Sequence, residues 1–403
     1  MFEEKLAFRT RSMRRSEIRE LLKLVAKPDI ISFGGGMPDP TLFPIEMVKE
    51  VSAKVLTNYG KRALQYGPTE GHLGLREEIC KWLYEKEGID ISPDNVLITN
   101  ASQQGLDLVS KIFIDEGDAV IMGLPSYLGG IAAFRAYSAK LYGVRLDENG
   151  MVPELLEEKI KELKKKGEKI KFIYIVPDFQ NPAGVTIPLK RRKKIIEIAE
   201  KYDLLIVEDT PYKELRYSGE HQPSFFKLAD RGRVISLFTF SKILFPGLRM
   251  GYVVADKKVI DKLVIAKQAT DLCSPEFNQA IVYEIMKEGR LKPHITKLVV
   301  RYRDKRNCML SALNQFMPKD KVKWTRPEGG LFLWITLPEF IDSDKMFKKA
   351  IENKVAYIVG SAFHCDGSGH NTMRINFSYP TMEQIVEGVK RLSKVIKEEI
   401  ENH

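Results

Sequence analysis

The chain has no apolar run approaching the length of a bilayer crossing. Its start, MFEEKLAFRTRSMRR, lacks the apolar segment and small-residue cleavage site of a signal peptide. A cytoplasmic protein without a membrane partner is expected. Cysteine is scarce: Cys80, Cys273, Cys308 and Cys365 are scattered and form no CxxC pair. Neither a disulfide framework nor a zinc cage is expected, and no metal is assigned. Internal repeats and low-complexity tracts are missing as well. Hydrophobic residues at 44% and charged residues at 29% are ordinary globular values and argue against disorder, collagen or fibre. An excess of one charge is present only on paper. The formal charge is +10, but the basic residues sit beside acidic ones, as in KELKKKGEKIK and KVIKEEIENH. Such a balance reports non-specific attraction at most, so nucleic acid is not an expected partner. Interspersed Lys and Glu also suit the surface ion pairs of a thermophile.

What the chain does have is a rhythm of short β-rich runs separated by helical stretches. NVLITN (95–100), AVIMG (119–123), KFIYIV (171–176), LLIVED (204–209), VISLFTF (234–240) and MGYVVA (250–255) are near-continuous apolar runs. Strands of a parallel sheet covered on both faces read this way. Between them, SQQGLDLVSKIF and KRRKKIIEIAEKY carry apolar residues at helical spacing, the second starting just after Pro188. An α/β fold follows. From about residue 291 the texture changes to a long charged helix (about 293–315), the strand LFLWITL, a short helix, the strand MRINFS and a terminal amphipathic helix. At 403 residues the chain exceeds what a single core usually holds, so two domains are expected: a large one over 45–290, and a smaller α+β one from 291–403 with the segment 1–44.

Four short segments carry chemistry. Thr239-Phe240-Ser241-Lys242 follows a buried strand and leads into Phe245-Pro246-Gly247-Leu248-Arg249-Met250-Gly251. A lysine at such a strand end is costly to bury unless paired or chemically used. The hydroxyls and arginine around it suit a phosphate. Asp209-Thr210-Pro211-Tyr212 places a carboxylate at the carboxyl edge of the sheet, where open α/β sheets bind ligands. Alone, that Asp reads equally as a turn cap. A pyridine nitrogen, however, needs a buried anion to stay protonated. Asn181-Pro182-Ala183-Gly184 is ordinary turn chemistry, although an Asn fixed there can donate to a phenolate. In Asn100-Ala101-Ser102-Gln103-Gln104-Gly105 a strand gives way to a helix. Ser102 is the expected N-cap, and the helix start is a phosphate site.

In order and spacing, this helix start, Tyr127, NPxG, DxxY, SK and PGLRxG resemble the class I/II, fold-type-I pyridoxal-phosphate aminotransferases over essentially the whole chain. Ile31-Ser32-Phe33-Gly34-Gly35-Gly36-Met37-Pro38 and Leu64-Gln65-Tyr66-Gly67-Pro68 suggest the kynurenine/2-aminoadipate and multisubstrate/aromatic branch. The resemblance implies a mostly parallel seven-stranded sheet flanked by helices, with pyridoxal 5′-phosphate held as a Schiff base on Lys242. Asp209 would partner the pyridine nitrogen, Asn181 and Tyr212 the phenolic oxygen, and Tyr127 would stack on the ring. Ser102, Gln103, Thr239, Ser241 and Arg249 would bind the phosphate, with Tyr66 reaching it from a neighbouring subunit in a homodimer with shared sites. Arg374 would grip the substrate α-carboxylate, although without the family it reads as a solvent-facing strand arginine. Gly36 and Arg19 would contact substrate. Arg19, in RRSEIRELLKLV, reads more readily from the residues alone as a solvated arginine on an amphipathic helix.

The implied reaction moves an amino group from kynurenine, 2-aminoadipate, an aromatic or a similar amino acid to 2-oxoglutarate by ping-pong exchange. A β-lyase or decarboxylase on the same fold is the alternative, since fold does not decide which Cα bond breaks. A fused winged-helix regulator is not expected, because the first family motif comes by about residue 32. A nicotinamide dehydrogenase is not expected either, because Gly34-Gly35-Gly36 is not a GxGxxG element. His364-Cys365-Asp366 with His370 lies in the loop HCDGSGHN and reads as a turn or lid.

Overall fold

A computed structural model describes residues 2–13, 29–230 and 232–402. In chain order its main elements are β1 (Ile31–Ser32), α1 (Ile45–Ala63), α2 (Leu73–Glu87), β2 (Val96–Thr99), α3 (Ala101–Phe113), β3 (Ala119–Leu124), α4 (Leu128–Ala136), β4 (Lys140–Asp147) and β5 (Gly150–Met151). Then come α5 (Pro153–Lys165), β6 (Ile170–Ile175), α6 (Leu189–Lys201), β7 (Leu205–Asp209), α7 (Phe225–Leu228), β8 (Val234–Thr239), β9 (Gly251–Val254), α8 (Lys257–Asp271) and α9 (Glu276–Lys287). The last are α10 (Leu291–Phe316), β10 (Lys323–Trp324), β11 (Phe332–Thr336), α11 (Ser343–Glu352), β12 (Val355–Ala356), β13 (Ile358–Val359), β14 (Thr372–Asn376) and α12 (Met382–Glu401).

The large sheet runs β2-β9-β8-β7-β6-β3-β4-β5. It is parallel through its centre, and β9 lies antiparallel to both neighbours. Seven strands carry it, and the eighth, β5, is a two-residue edge paired antiparallel with β4. Alternate residues of each strand enter different cores. Ile121, Ile173 and Ile206 join one cluster, and Val120, Phe172 and Val207 the other. Period-2 side chains that are apolar on both faces require helices on both. α2, α5 and α6 cover the first face and α3, α4 and α8 the second. The helix spacing is legible in α5, where Pro153 starts the helix and Leu156, Ile160 and Leu163 face inward.

β10-β11-β14-β13 form a separate antiparallel sheet. α10 and α12 pack on one another, and α12 starts with a capping box in which Thr381 accepts from Gln384. The long helix begins at Leu291, earlier than its charge pattern suggests, because Pro293 in the first turn owes no helical hydrogen bond. β1 pairs in parallel with β12, so the segment around Ile31 joins the carboxyl-terminal elements. Among the described residues no helix is long and apolar enough to cross a membrane, and the four cysteines are unpaired.

Candidate active site

The site lies at the carboxyl ends of β6, β7 and β8, where strand ends release their side chains into one space. Asp209 closes β7 and is 1% exposed. Its Oδ2 accepts from Tyr174 Oη at 2.9 Å, while Oδ1 has no partner among the described residues. Burial pushes this carboxyl up to about 7, which makes it a poor place for a lone anion and a good receptor for a buried cationic N–H. Tyr174 escapes sequence reading. Its only signal is one phenol inside the apolar run of β6.

The turn after β6 carries Asn181. Gly184 closes it at φ +72, and a Cβ there would stand 2.7 Å from the Phe332 carbonyl, so the last residue of NPAG has to be glycine. Gln180 stitches the turn by accepting from Ala183 N at 2.8 Å and donating to Pro125 O at 2.9 Å. Asn181 Nδ2 donates to the buried Tyr212 hydroxyl at 3.4 Å. Its Oδ1 accepts from Arg374 Nη1 at 2.9 Å. Arg374 also donates through Nη2 to Gly34 O at 2.6 Å, and its Nε has no partner among the described residues.

The sequence-only expectation of a solvent-facing Arg374 is overturned. It is 4% exposed, because β14 is an inner strand of its sheet and Arg374 registers between Trp334 and Ile358. The guanidinium lies 4.3 Å from the Phe332 ring centre and 5.0 Å from that of Phe363. Burial lowers its pKa to about 10.

Lys242 follows β8, and its Nζ donates to the Gly36 carbonyl at 2.8 Å. Burial, followed by the positive fields of Arg374 and Arg249, holds its pKa down to about 8. A lysine so placed gives up its proton near neutrality. The Gly36 backbone thus lies against the Lys242 amine.

A second group of donors gathers beside it. Ser241 N donates to Thr239 Oγ1 at 3.1 Å, Thr239 Oγ1 to Ser241 Oγ at 2.9 Å, and Arg249 Nη1 reaches Ser241 Oγ at 3.5 Å. Thr99, Gly251 and Thr239 are register partners across β2, β9 and β8. This brings the start of α3 to the same end of the sheet. Gly251 permits it, since a Cβ there would meet the Ala101 backbone at 2.8 Å.

Ser102 is not the N-cap. The helix starts at Ala101, whose φ is +59, and Asn100 holds the cap position without a side-chain cap bond. Ser102 and Gln103 stand in the first turn instead. Gln103 Nε2 donates to Gly129 O at 3.1 Å, and Tyr127 Oη to Gln103 Oε1 at 3.5 Å. Burial and the Asp209 charge raise the Tyr127 phenol to about 12. Tyr66 stays apart, 79% exposed beyond α1, and Arg19 lies outside the described residues. In the HCDGSGHN loop, His364 Nδ1 contacts Gly360 O at 2.8 Å while His370 Nδ1 faces Asp344 at 3.0 Å. The two histidines thus turn to different partners.

Residues 28–392 match the family model for aminotransferase class I and II. Aromatic-amino-acid aminotransferase 1 of Thermococcus litoralis is 47% identical over 399 residues, 99% of this chain and 95% of that protein. The kynurenine aminotransferase of Pyrococcus horikoshii, solved with PMP and kynurenine, superposes with a TM-score of 0.95 at 48% identity, covering 99% of this chain and 98% of the other. The alpha-aminoadipate aminotransferase of Thermus thermophilus, solved with N-(5′-phosphopyridoxyl)-L-leucine, gives 0.92 at 39% identity over the whole of both chains. This chain belongs to the class I and II aminotransferases, enzymes that act on amino acids, within the branch of aromatic, 2-aminoadipate and kynurenine aminotransferases.

Proposed function

We propose that this aminotransferase carries pyridoxal 5′-phosphate on Lys242 and moves an amino group from kynurenine, 2-aminoadipate, an aromatic or a similar amino acid to 2-oxoglutarate. The oxo-acid product would leave before the acceptor enters, giving ping-pong kinetics. The observation that carries the reading is Asp209: a buried carboxylate with one oxygen satisfied by Tyr174 and the other unpartnered among the described residues. Such an atom calls for a donor, and a pyridine N–H is one.

The other residues fit the same group. Asn181 Nδ2 and Tyr212 Oη are placed to donate to its phenolic oxygen, and Tyr127 to cover its ring. Ser102, Gln103, Thr239, Ser241 and Arg249 would hold its phosphate, joined by Tyr66 of the partner subunit in a homodimer. When bound, the group supplies an electron sink beside the substrate's Cα–H bond. Arg374 offers a desolvated guanidinium for the α-carboxylate, which aligns that bond. Lys242 Nζ, neutral above about pH 8, takes the Cα proton and later returns one. The Gly36 carbonyl and Arg19 would meet the substrate side. We assign 45–290 to a large cofactor domain and the remainder to a smaller one, in a cytoplasmic enzyme.

The test is an absorption spectrum of the purified protein, followed by kynurenine, 2-aminoadipate, phenylalanine and glutamate added one at a time. A yellow band that fades with a donor, with glutamate formed from 2-oxoglutarate, is expected, and Lys242→Ala should abolish turnover. A protein that stays colourless with added pyridoxal phosphate, or a Lys242→Ala variant with a near-native half-reaction, overturns the reading. Pyruvate and ammonia as products would mean elimination instead.

A further inference from the structure

A buried ionic cluster lies directly behind the first turn of α3, and no step described so far uses it. Lys267 in α8 has a fully buried side chain, with Nζ 2.8 and 2.9 Å from the two oxygens of Asp271. The same Nζ donates to Gln104 Oε1 at 2.9 Å. Gln104 Oε1 also accepts from the backbone N of Asn100 at 2.8 Å. Asp271 Oδ2 accepts from Asn100 Nδ2 at 2.7 Å and Gln104 Nε2 at 2.6 Å. Asn100 is thus held by main chain and side chain together, immediately before the left-handed Ala101.

That conformation is unfavourable for any residue with a Cβ and persists only where its surroundings impose it. The direction of the amides of Ser102 and Gln103 depends on it. Burying the Lys267 ammonium against a half-buried Asp271 is costly unless every partner is in place, and a hydrophobic pair would have joined α8 to α3 just as well. The ion pair does something a hydrophobic pair does not. It grips the cap residue through charge-assisted bonds while keeping Asp271 neutralised beside an anion site.

We infer that Asp271, Lys267 and Gln104 are positioning residues for the cofactor's phosphate: they fix Asn100 and Ala101 so that the first-turn amides of α3 converge on the anion. The inference rests on the reading that this turn holds the phosphate. The phosphate and the ring can be separated experimentally, because pyridoxal shares the ring and aldehyde of pyridoxal phosphate but lacks the anion. Apoenzymes of the native protein, Asp271→Asn, Lys267→Met and Arg249→Met are titrated with each compound and followed by the visible band, with apoenzyme melting as a check of folding.

Loss of charged hydrogen bonds around Asn100 should weaken pyridoxal phosphate about tenfold or more in Asp271→Asn and Lys267→Met. Pyridoxal affinity should stay unchanged. If Asp271→Asn does not fold, Gln104→Met takes its place with the same expectation. A preference for the phosphorylated form that survives these substitutions but collapses in Arg249→Met overturns this inference alone. Equal losses for both compounds mean a general structural role and also overturn it. A preference that survives Arg249→Met as well removes the phosphate assignment itself.

Discussion

At Lys242 two effects act in one direction. Burial and the neighbouring guanidinium of Arg374 both disfavour the ammonium, holding its pKa to about 8. The group is lowered, so it is protonated below that pH and free above it. Uptake of pyridoxal phosphate by the apoenzyme needs the free amine. Its rate should therefore climb with pH and level off above about 8. In Arg374→Met the midpoint should move to higher pH, because a positive neighbour is lost. Stopped-flow absorbance across pH checks both, and an unmoved midpoint would show that the two residues are not coupled. Lys242, Asp209, Asn181 and Tyr212 were legible because each sits in a short motif at a strand end or turn. Tyr174 and Lys267 were not, because a phenol in β6 or a lysine in α8 acquires meaning only from residues far away in sequence.

Among the elements, the apolar strands were legible because burial on both faces leaves a continuous run. β4 was not, since in KLYGVRLD (140–147) Lys140, Arg145 and Asp147 break the apolar run on both faces and the strand is mostly half-exposed. The cap of α3 was missed for another reason. Serine before a helix is a strong cap signal, but the left-handed turn at Ala101 moves the cap two residues back, from Ser102 to Asn100, and nothing in an alanine announces that. The turn of Asn181 offers a test at this scale. Gly184→Ala must hold a Cβ at φ +72, 2.7 Å from the Phe332 carbonyl. A destabilisation of about 1–3 kcal/mol is expected. Asn181 would shift with the turn, so turnover should fall by more than the melting temperature alone explains. Thermal melting and a donor half-reaction on the same preparation check this, and a variant with native turnover would show that the turn can relax without moving Asn181.

For the whole molecule, the exposed apolar side chains are informative. Ile45, Leu64, Tyr66, Leu73 and Leu272 are all left open on the single chain, as they would be if the proposed homodimer covers them. Two defective chains should then repair one another. Lys242→Ala lacks the reacting amine but keeps its own Tyr66, while a Tyr66→Ala chain keeps its lysine. Hybrids of the two should contain one site with both native residues and turn over faster than either parent. Mixing after mild dissociation, followed by turnover, checks it, and strict additivity would mean that each site is built from one chain. The change of texture near residue 291 was legible, and α10 begins there, whereas the pairing of β1 with β12 was not, since a two-residue strand leaves no periodicity.

Arg374 has a consequence for how the enzyme answers its surroundings. Packed against Phe332 and Phe363, it loses its hydration shell when the chain folds, before any donor arrives. An incoming carboxylate meets a bare cation that mobile ions cannot reach, unlike a lysine or arginine on the surface. Recognition of α-amino acids should thus be nearly indifferent to ionic strength. KM values for 2-aminoadipate or phenylalanine measured from low to near-molar salt are expected to stay level, where a surface-guided enzyme would weaken. A simple amine without the carboxylate would leave that cation with only neutral acceptors, Asn181 Oδ1 and the Gly34 carbonyl, and the aromatic rings, and should bind far more weakly than an α-amino acid of the same shape.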